Sequence, residues 1–539
     1  MYPELFLAAV IIFGFFDQTS IRFSLIYFLI VVGVLGLTAV KRLSGIRFKI
    51  PKEIMIFWLL LVAQTVLSLI DTSSIPVSKI GLFMMFSALV YFVSGVAFGR
   101  SGRRIQAILF VSSIIFSLVS LGVIFKVIPW PANQSSLFSW TFGHNRIAGL
   151  LILLLPAAII YVAGKTSQWK TLAVLSLSIP FLTLVFSGGR AAILGFLASL
   201  AYLNYFGPVN LRRWLKLAAI SCLIPILVLM IFPIVGRLWP NSGLIKTINS
   251  DPASYRILIK PLSNDGRLDY WGGALRAIAN RPLGWGMETS RLVLPKFKAE
   301  GEQVSAYVHN QYLQAGVELG AVGAVIYILL IVLVLYQAHK TVLADQTGWA
   351  AGIFGGILAS AIAAFFDYDW QYPSIYLLWW FLAGSLMMAP ERSPDIIPET
   401  RKNHWPKVII ATLSILILVY GVSSATVKSG LIVSRSSWNS WGKSVYPVIA
   451  PAGYRLHPEL ADEALTIGLR RLTVDQIPEH ISSNLLFFRR DNRMLEKVLR
   501  WQEKYDTSER TAQTAAMMLD NDPLNTVAKS ALEKVDKKE

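Results

Sequence analysis

The sequence predicts an all-α, polytopic helical membrane protein with a small helical domain at its C-terminal end. Three observations carry this expectation. Of 539 residues, 54% are hydrophobic, and the mean hydropathy of +0.55 is too apolar for a chain of this length surrounded by water. Apolar runs near the ~20 residues that a ~30 Å hydrocarbon layer demands of a helix recur from the first residues to about Val427. The runs are continuous rather than alternating, which is not the pattern of a membrane β-barrel.

Taken in order, the runs place spans at 4–16, 21–40, 53–70, 80–97, 105–125, 147–163, 171–187, 191–206, 217–235, 309–336, 348–366, 374–389 and 408–426, or about 12–13 transmembrane helices. The opening MYPELFLAAVIIFGFF lacks a basic n-region and a small-residue cleavage site. It reads as a retained first span, short enough to be tilted or re-entrant, and not as a cleaved signal peptide. The single cysteine, Cys222, falls inside a span, so no intrachain disulfide framework is available.

The net charge of +18 raises the question of nucleic acid, but its distribution answers otherwise. With the N-terminus in the cytoplasm, alternate loops hold Lys41, Arg42, Arg47, Lys49 and Lys52, then Arg100, Arg103 and Arg104, then Arg212, Arg213 and Lys216. The opposite short loops hold only Lys79, Lys126, Arg146 and Arg190. This is the positive-inside pattern of a membrane protein, and no nucleic-acid partner is expected. Three larger segments then fall outside: 126–146, 236–308 and 427–539. Loops of that length are commonly functional, so the chemistry is expected on the outer face. The chain thus divides into a transmembrane domain, 1–426, and an extracytoplasmic helical domain, 427–539.

Within the outer loop, DGRLDYWGGALRAIANRPLGWG places Leu268, Trp271, Leu275 and Ile278 at helical spacing. This predicts an amphipathic helix at the membrane interface, stopped by Arg281-Pro282 and Gly284. The C-terminal segment is nearly balanced in charge and reads as short soluble helices. Antiparallel pairs of the tetratricopeptide kind and an irregular helical bundle both fit it, since no clean 34-residue period appears.

Candidate functional residues sit at the outer ends of spans. YVHNQYLQAGVELGAVGAV, residues 307–325, opens with His309, Asn310 and Tyr312. On a continuing helix Gly316, Gly320 and Gly323 lie within ~40° of His309, a stripe of small residues allowing close packing below it. A neutral imidazole there accepts a proton near pH 7; alternatively it links two helices. FSGGRAAILGF puts Arg190 at another outer mouth, behind Gly188 and Gly189, which permit unusual backbone angles and close approach of a ligand. Arg267 opens the amphipathic helix, and His144, Asn145 and Arg146 begin a further span. Arginines gathered at a membrane surface suit a diphosphate, because the guanidinium fork binds phosphate oxygens and keeps its charge. Asp367 and Asp369, in DYDW, form an Asp-x-Asp on an outer loop; such a pair more often caps helices or faces solvent than binds metal. Asp17 is equally unspecific. No metal and no cofactor is expected.

HNQYLQAGVELGAVG, GRLDYWGGALRAIANRPLGWG and FSGGRAAILGF, with GHNRIAGLL at 143–151, together resemble the O-antigen ligase/polymerase superfamily of bacterial membrane glycosyltransferases, over roughly residues 1–390. The resemblance implies an enzyme of the bacterial inner or cytoplasmic membrane. Such an enzyme moves a glycan from undecaprenyl diphosphate, on the outer leaflet, to an acceptor hydroxyl on a glycan, lipid or protein, without a metal. By motif position His309 matches the family's catalytic histidine, and Arg190 and Arg267 its diphosphate-binding arginines. Arg146 is a further candidate for the diphosphate, and Asn145, Asn310 and Tyr312 are candidates for supporting the substrate. The last span and the outer C-terminal domain depart from the simplest ligase pattern and leave the acceptor open. A polysaccharide polymerase using the same chemistry is the first alternative. A lipid-linked glycan transporter is the second, disfavoured because polar residues gather at span ends rather than at the midplane.

Overall fold

The computed structural model describes residues 33–40, 50–70, 72–124, 140–164, 168–207, 266–303, 305–387, 405–436, 440–455, 457 and 460–537. The expected spans 4–16 and 217–235, most of 21–40, Asp17, Cys222, residues 236–265 of the outer loop and the side chain of His144 lie outside the described residues.

The described chain is helical, with no strand among the described residues. Its helices are α1 (Lys52–Ile70), α2 (Ile75–Phe98), α3 (Gly102–Ile124), α4 (Trp140–Ala163), α5 (Gln168–Ser187) and α6 (Arg190–Phe206). They continue with α7 (Arg267–Asn280), α8 (Gln311–Ala344), α9 (Trp349–Ala363), α10 (Pro373–Ser385) and α11 (Trp405–Ser436). The C-terminal set is α12 (Ser440–Arg455), α13 (Ala461–Arg471), α14 (Ile477–Phe488), α15 (Asn492–Tyr505), α16 (Ser508–Asn521) and α17 (Thr526–Asp536). Among the described residues, 6 helices are long and apolar enough to cross a membrane: α1, α2, α3, α4, α8 and α11. α6 and α9 are shorter apolar helices. Every expected span that falls on described residues finds a helix.

The chain divides into two compact units: Met1–Ile56, Phe86–Ser263 and Leu330–Leu418 form the first, and Phe57–Met85, Asn264–Leu329 and Val419–Glu539 the second. In the first unit α9 packs against α4 and α6. Small residues make this contact close. A Cβ on Gly356 would meet Leu153 O of α4 at 2.4 Å, and one on Gly195 of α6 would meet Ala359 O at 2.2 Å. Lacking a hydrophobic drive between apolar helices in lipid, such close backbone approach supplies the packing. All of α10 is buried, and Gly384 lies against Phe92 O of α2 at a Cβ distance of 1.9 Å.

In the second unit the C-terminal helices pack on the next helix in sequence and, through α12–α14, α13–α15 and α15–α17, on the next but one. Packing between near neighbours lets each helix cover the apolar face of the next, and it fits a helical bundle and a repeat array alike. Helix ends are capped locally: Asp491, Thr507 and Asn525 each accept a backbone N–H from the first turn of the following helix.

Candidate active site

Two of the expected diphosphate and base residues, Arg267 and His309, belong to the second unit, and their surroundings begin with α7. Its buried face is Gly273, Ala274 and Ala277. Those small residues sit in a core with Val293, Leu294, Val308 and Val317, against which Trp271, Ile278, Trp285, Phe297 and Leu313 pack. The sequence placed Leu268 and Leu275 with Trp271 and Ile278 on one apolar face. Leu268 is 72% and Leu275 56% exposed, and the small residues Ala274 and Ala277 are the ones in the core with Val293, Leu294 and Val308. Trp285 Nε1 donates to Ala277 O at 2.9 Å, and Arg281 lies over the Trp285 ring at 4.8 Å, which fixes the end of α7 where Arg281-Pro282 was expected to stop it.

The segment from 298 to 310 is fastened along α7. Gln303 N–H donates to Asp269 Oδ2 at 3.1 Å, Tyr270 Oη donates to Gln303 Oε1 at 3.4 Å, and Arg276 Nε donates to Phe297 O at 2.7 Å. Arg276 also pairs with Glu302. The Ala299 N–H and then the Arg276 guanidinium hold the Glu302 carboxyl below the usual carboxylate range, against the opposing effect of burial. At the far side Lys298 Nζ lies 3.3 Å from Asp522 Oδ2, beyond the end of α16. The loop is thereby held between α7 and the C-terminal helices of the same unit.

This loop ends at His309, and here the structure corrects a sequence expectation. His309 is not the first residue of a helix above a glycine stripe. Its φ is +54, and α8 begins two residues later. Asn310 is the cap: its Oδ1 accepts from the N–H groups of Tyr312 and Leu313, both at 3.0 Å, as asparagine does before a first helical turn. His309 therefore leaves the helix direction, and its ring lies 5.3 Å from that of Tyr270 with planes 30° apart. The helix headed by Arg267 and the histidine are brought together through that tyrosine. Asn310 is buried and holds the backbone; Tyr312 is buried in the first turn of α8.

The glycine stripe admits close neighbours, Ile278 of α7 at Gly316 and Gln64 of α1 at Gly323, and it also holds a break. α8 breaks at Gly320, whose φ is 79 and ψ 175. The residues flanking the break receive the 282–286 loop: Trp285 N–H donates to Val317 O at 3.0 Å, Gly286 N–H to Glu318 O at 2.9 Å, and Ala321 N–H to Pro282 O at 3.0 Å. Gln64 of α1 donates to Leu319 O at 2.7 Å, satisfying a carbonyl that the break releases. Glu318 accepts from Gln314 Nε2 at 3.0 Å and from Glu288 and Ser290, so this buried carboxyl pins the 288–290 turn.

In the first unit, Arg190 opens α6 and is exposed. Gly188 has φ +69, the left-handed value that the sequence allowed for. At Gly189 α4 comes close: a Cβ there would lie 2.5 Å from Ala148 Cβ. That contact sets the start of α6 beside the turn of α4 that holds Asn145 and Arg146. Arg146 is only 6% exposed and lies over the Tyr372 ring at 5.1 Å. Asp369 reaches the same place, since a Cβ on Gly149 would meet its Oδ2 at 2.5 Å. The Tyr372 hydroxyl lies within the fields of Arg146, Asp369 and Asp367. Both aspartates are buried, at 2% and 4% exposure, rather than facing solvent. Among the described residues no group of three or more His, Cys, Asp or Glu is placed to hold a metal ion. Sequence reasoning missed Tyr270, Tyr372, Trp285 and Gln64.

The fold is that of a multi-pass helical membrane protein with its polar clusters at helix ends. The family model described as O-antigen ligase matches residues 172–328, and that match supports the O-antigen ligase/polymerase superfamily. The matched stretch contains Arg190, Arg267, His309, Asn310 and Tyr312; Asn145, Arg146, Asp367 and Asp369 lie outside it. No curated protein matches the chain. The match supports glycan transfer of the O-antigen ligase/polymerase type, with lipid-linked glycan as the class of substrate.

Proposed function

We propose that the protein transfers a glycan from an undecaprenyl-diphosphate carrier to an acceptor hydroxyl on the outer face of a bacterial cytoplasmic membrane, without a metal. The observation that carries this reading is the setting of His309, within the matched segment: turned out of its helix and stacked against the helix that Arg267 heads. His309 takes the proton of the acceptor hydroxyl as that oxygen attacks the anomeric carbon. The bond from that carbon to the diphosphate oxygen breaks, with inversion. Arg190 and Arg267 bind the departing diphosphate and stabilise its developing charge. Arg146 serves the same substrate less directly, because Tyr372 and Asp369 already engage its neighbourhood; Asn145, Asn310 and Tyr312 bind or support the substrate, Asn310 by capping α8. The N-terminus is cytoplasmic, and residues 427–539 are extracytoplasmic and face the acceptor.

The test is to supply the full chain in lipid nanodiscs with undecaprenyl-diphosphate-linked glycan and candidate acceptors, and to size the products. Transfer of a preassembled chain once per acceptor is the ligase outcome. A ladder of added repeats assigns the polymerase alternative with the same chemistry. Translocation of the lipid-linked glycan across a vesicle bilayer with no new glycosidic bond refutes the transferase reading.

A further inference from the structure

We infer that Tyr270 is a positioning residue for His309, an inference that rests on the reading of His309 as the base. The two rings lie 5.3 Å apart between centroids with their planes tilted by 30°, within the centroid range of interacting aromatic pairs. Each partner is fixed by its own surroundings. His309 has φ +54, a conformation that side chains other than glycine seldom adopt, and the Asn310 cap that follows it prevents the histidine from joining α8. Tyr270 stands in the first turn of α7, its N–H donating to Gly266 O at 3.0 Å. Its hydroxyl donates to Gln303 Oε1, while the preceding Asp269 accepts the Gln303 N–H.

The phenol ring is thus tied at both ends to the two segments that meet at the site, α7 and the loop leading to His309. A ring packed beside an imidazole restrains its plane; since Nδ1 of His309 is buried, Nε2 is the nitrogen left to meet a hydroxyl. The π face of a tyrosine also favours the imidazolium formed once the acceptor proton has moved. Tyr270 lies three residues after Arg267, so one helical turn carries both the cation for the diphosphate and the platform for the base. A small rotation of α7 moves both together.

The experiment compares wild type with Tyr270→Phe, Tyr270→Leu, Tyr270→Met, His309→Ala and the two double variants that combine His309→Ala with Leu or Met. Undecaprenyl-diphosphate-linked glycan is the donor, and release of undecaprenyl diphosphate is the readout. Tyr270→Phe keeps the ring and is expected within about twofold of wild type. Tyr270→Leu and Tyr270→Met are expected to lose about 10- to 100-fold in kcat, the scale on which misplacing a catalytic group acts, with KM for the donor within about twofold. In the His309→Ala background neither adds to the loss, which a purely structural role would. If Tyr270→Leu does not fold, Tyr270→Met carries the comparison. Full kcat in the folded Leu or Met variant, an unchanged kcat with raised KM, or an equal further loss without His309 overturns the inference. Wild-type turnover in His309→Ala overturns the base reading itself, and the inference with it; an inactive His309→Ala beside fully active Leu and Met variants overturns the inference alone.

Discussion

Gly320→Ala is the substitution that most sharply probes how the His309 region is built. Gly320 adopts φ 79 and ψ 175, a combination essentially confined to glycine, and a side chain there costs about 1–3 kcal/mol in backbone strain alone. The added methyl would also lie 2.0 Å from Pro282 O and 2.6 Å from Leu283 C. Both contacts are backbone, so no rotamer change relieves them and the 282–286 loop must move away. That movement breaks at least one of the three clasp bonds, Ala321 N–H to Pro282 O, Trp285 N–H to Val317 O or Gly286 N–H to Glu318 O. Losing one buried backbone bond costs roughly another 1–3 kcal/mol. The sum is a loss of about 2–6 kcal/mol, enough to lower the unfolding midpoint of the purified protein in detergent by several degrees. Thermal unfolding followed by circular dichroism measures it. Because Trp285 moves with the loop and packs on α7, turnover falls as well. A midpoint within one degree of wild type, with turnover intact, refutes the proposed clasp between the break in α8 and the 282–286 loop.

Other perturbations reach the neighbouring parts. In a double-mutant cycle with Lys298→Met and Asp522→Asn, the coupling should be about 1 kcal/mol, above that of a fully exposed pair because the two side chains are only 17% and 11% exposed; strictly additive losses would show that the C-terminal helices do not brace the loop. Burial holds the imidazole of His480 below its ordinary value, between the hydroxyls of Tyr446 and Tyr454 at 3.2 and 3.1 Å. The folded chain therefore resists a proton that the unfolded chain accepts from about pH 6.5 downward. Stability is full above that pH and falls as the pH drops through the lowered folded value; thermal midpoints of wild type and His480→Gln between pH 5 and 8 should show that slope in wild type and its reduction in the variant. Tyr372→Leu removes the ring beneath a nearly buried Arg146 and should cost about 1–2 kcal/mol, while Tyr372→Phe spares most of it; equal unfolding midpoints for the two variants would argue against the stacked arginine.

The helices in the membrane were legible because continuous apolar runs are a local signal: all ten expected spans from 53–70 to 408–426 that fall on described residues coincide with helices. The stop of α7 at Arg281-Pro282 was legible for the same reason. Which face of α7 is buried was not. Leu268 and Leu275 are the more hydrophobic side chains, yet Ala274 and Ala277 are the ones that permit close approach of the 293–308 segment. The helix start at Gln311 was readable in hindsight, since an asparagine preceding an apolar run is a cap signal. The break at Gly320 was not, because a glycine within an apolar helix more often serves close packing than a change of direction. Asp367 and Asp369 looked like residues that cap helices or face solvent, because nothing local marks the return of their loop onto α4. That contact is long-range, and only the folded chain places Asp369 over Gly149. Tyr270 stood within a quoted motif, but its stack with His309 spans 39 residues of sequence and depends on a φ that no composition rule specifies.

The measurement that bears most directly on the central claim is release of undecaprenyl diphosphate by wild type, His309→Ala and Arg267→Ala, each in excess EDTA with lipid-linked glycan and acceptor supplied. Wild-type turnover unchanged by the chelator, with both variants reduced by at least about 100-fold, is the predicted result for a base and a charge-stabilising arginine. Variants that turn over as fast as wild type would show that His309 and Arg267 serve the fold alone. Loss of wild-type activity in EDTA would contradict the metal-free mechanism and shift attention to Asp367 and Asp369.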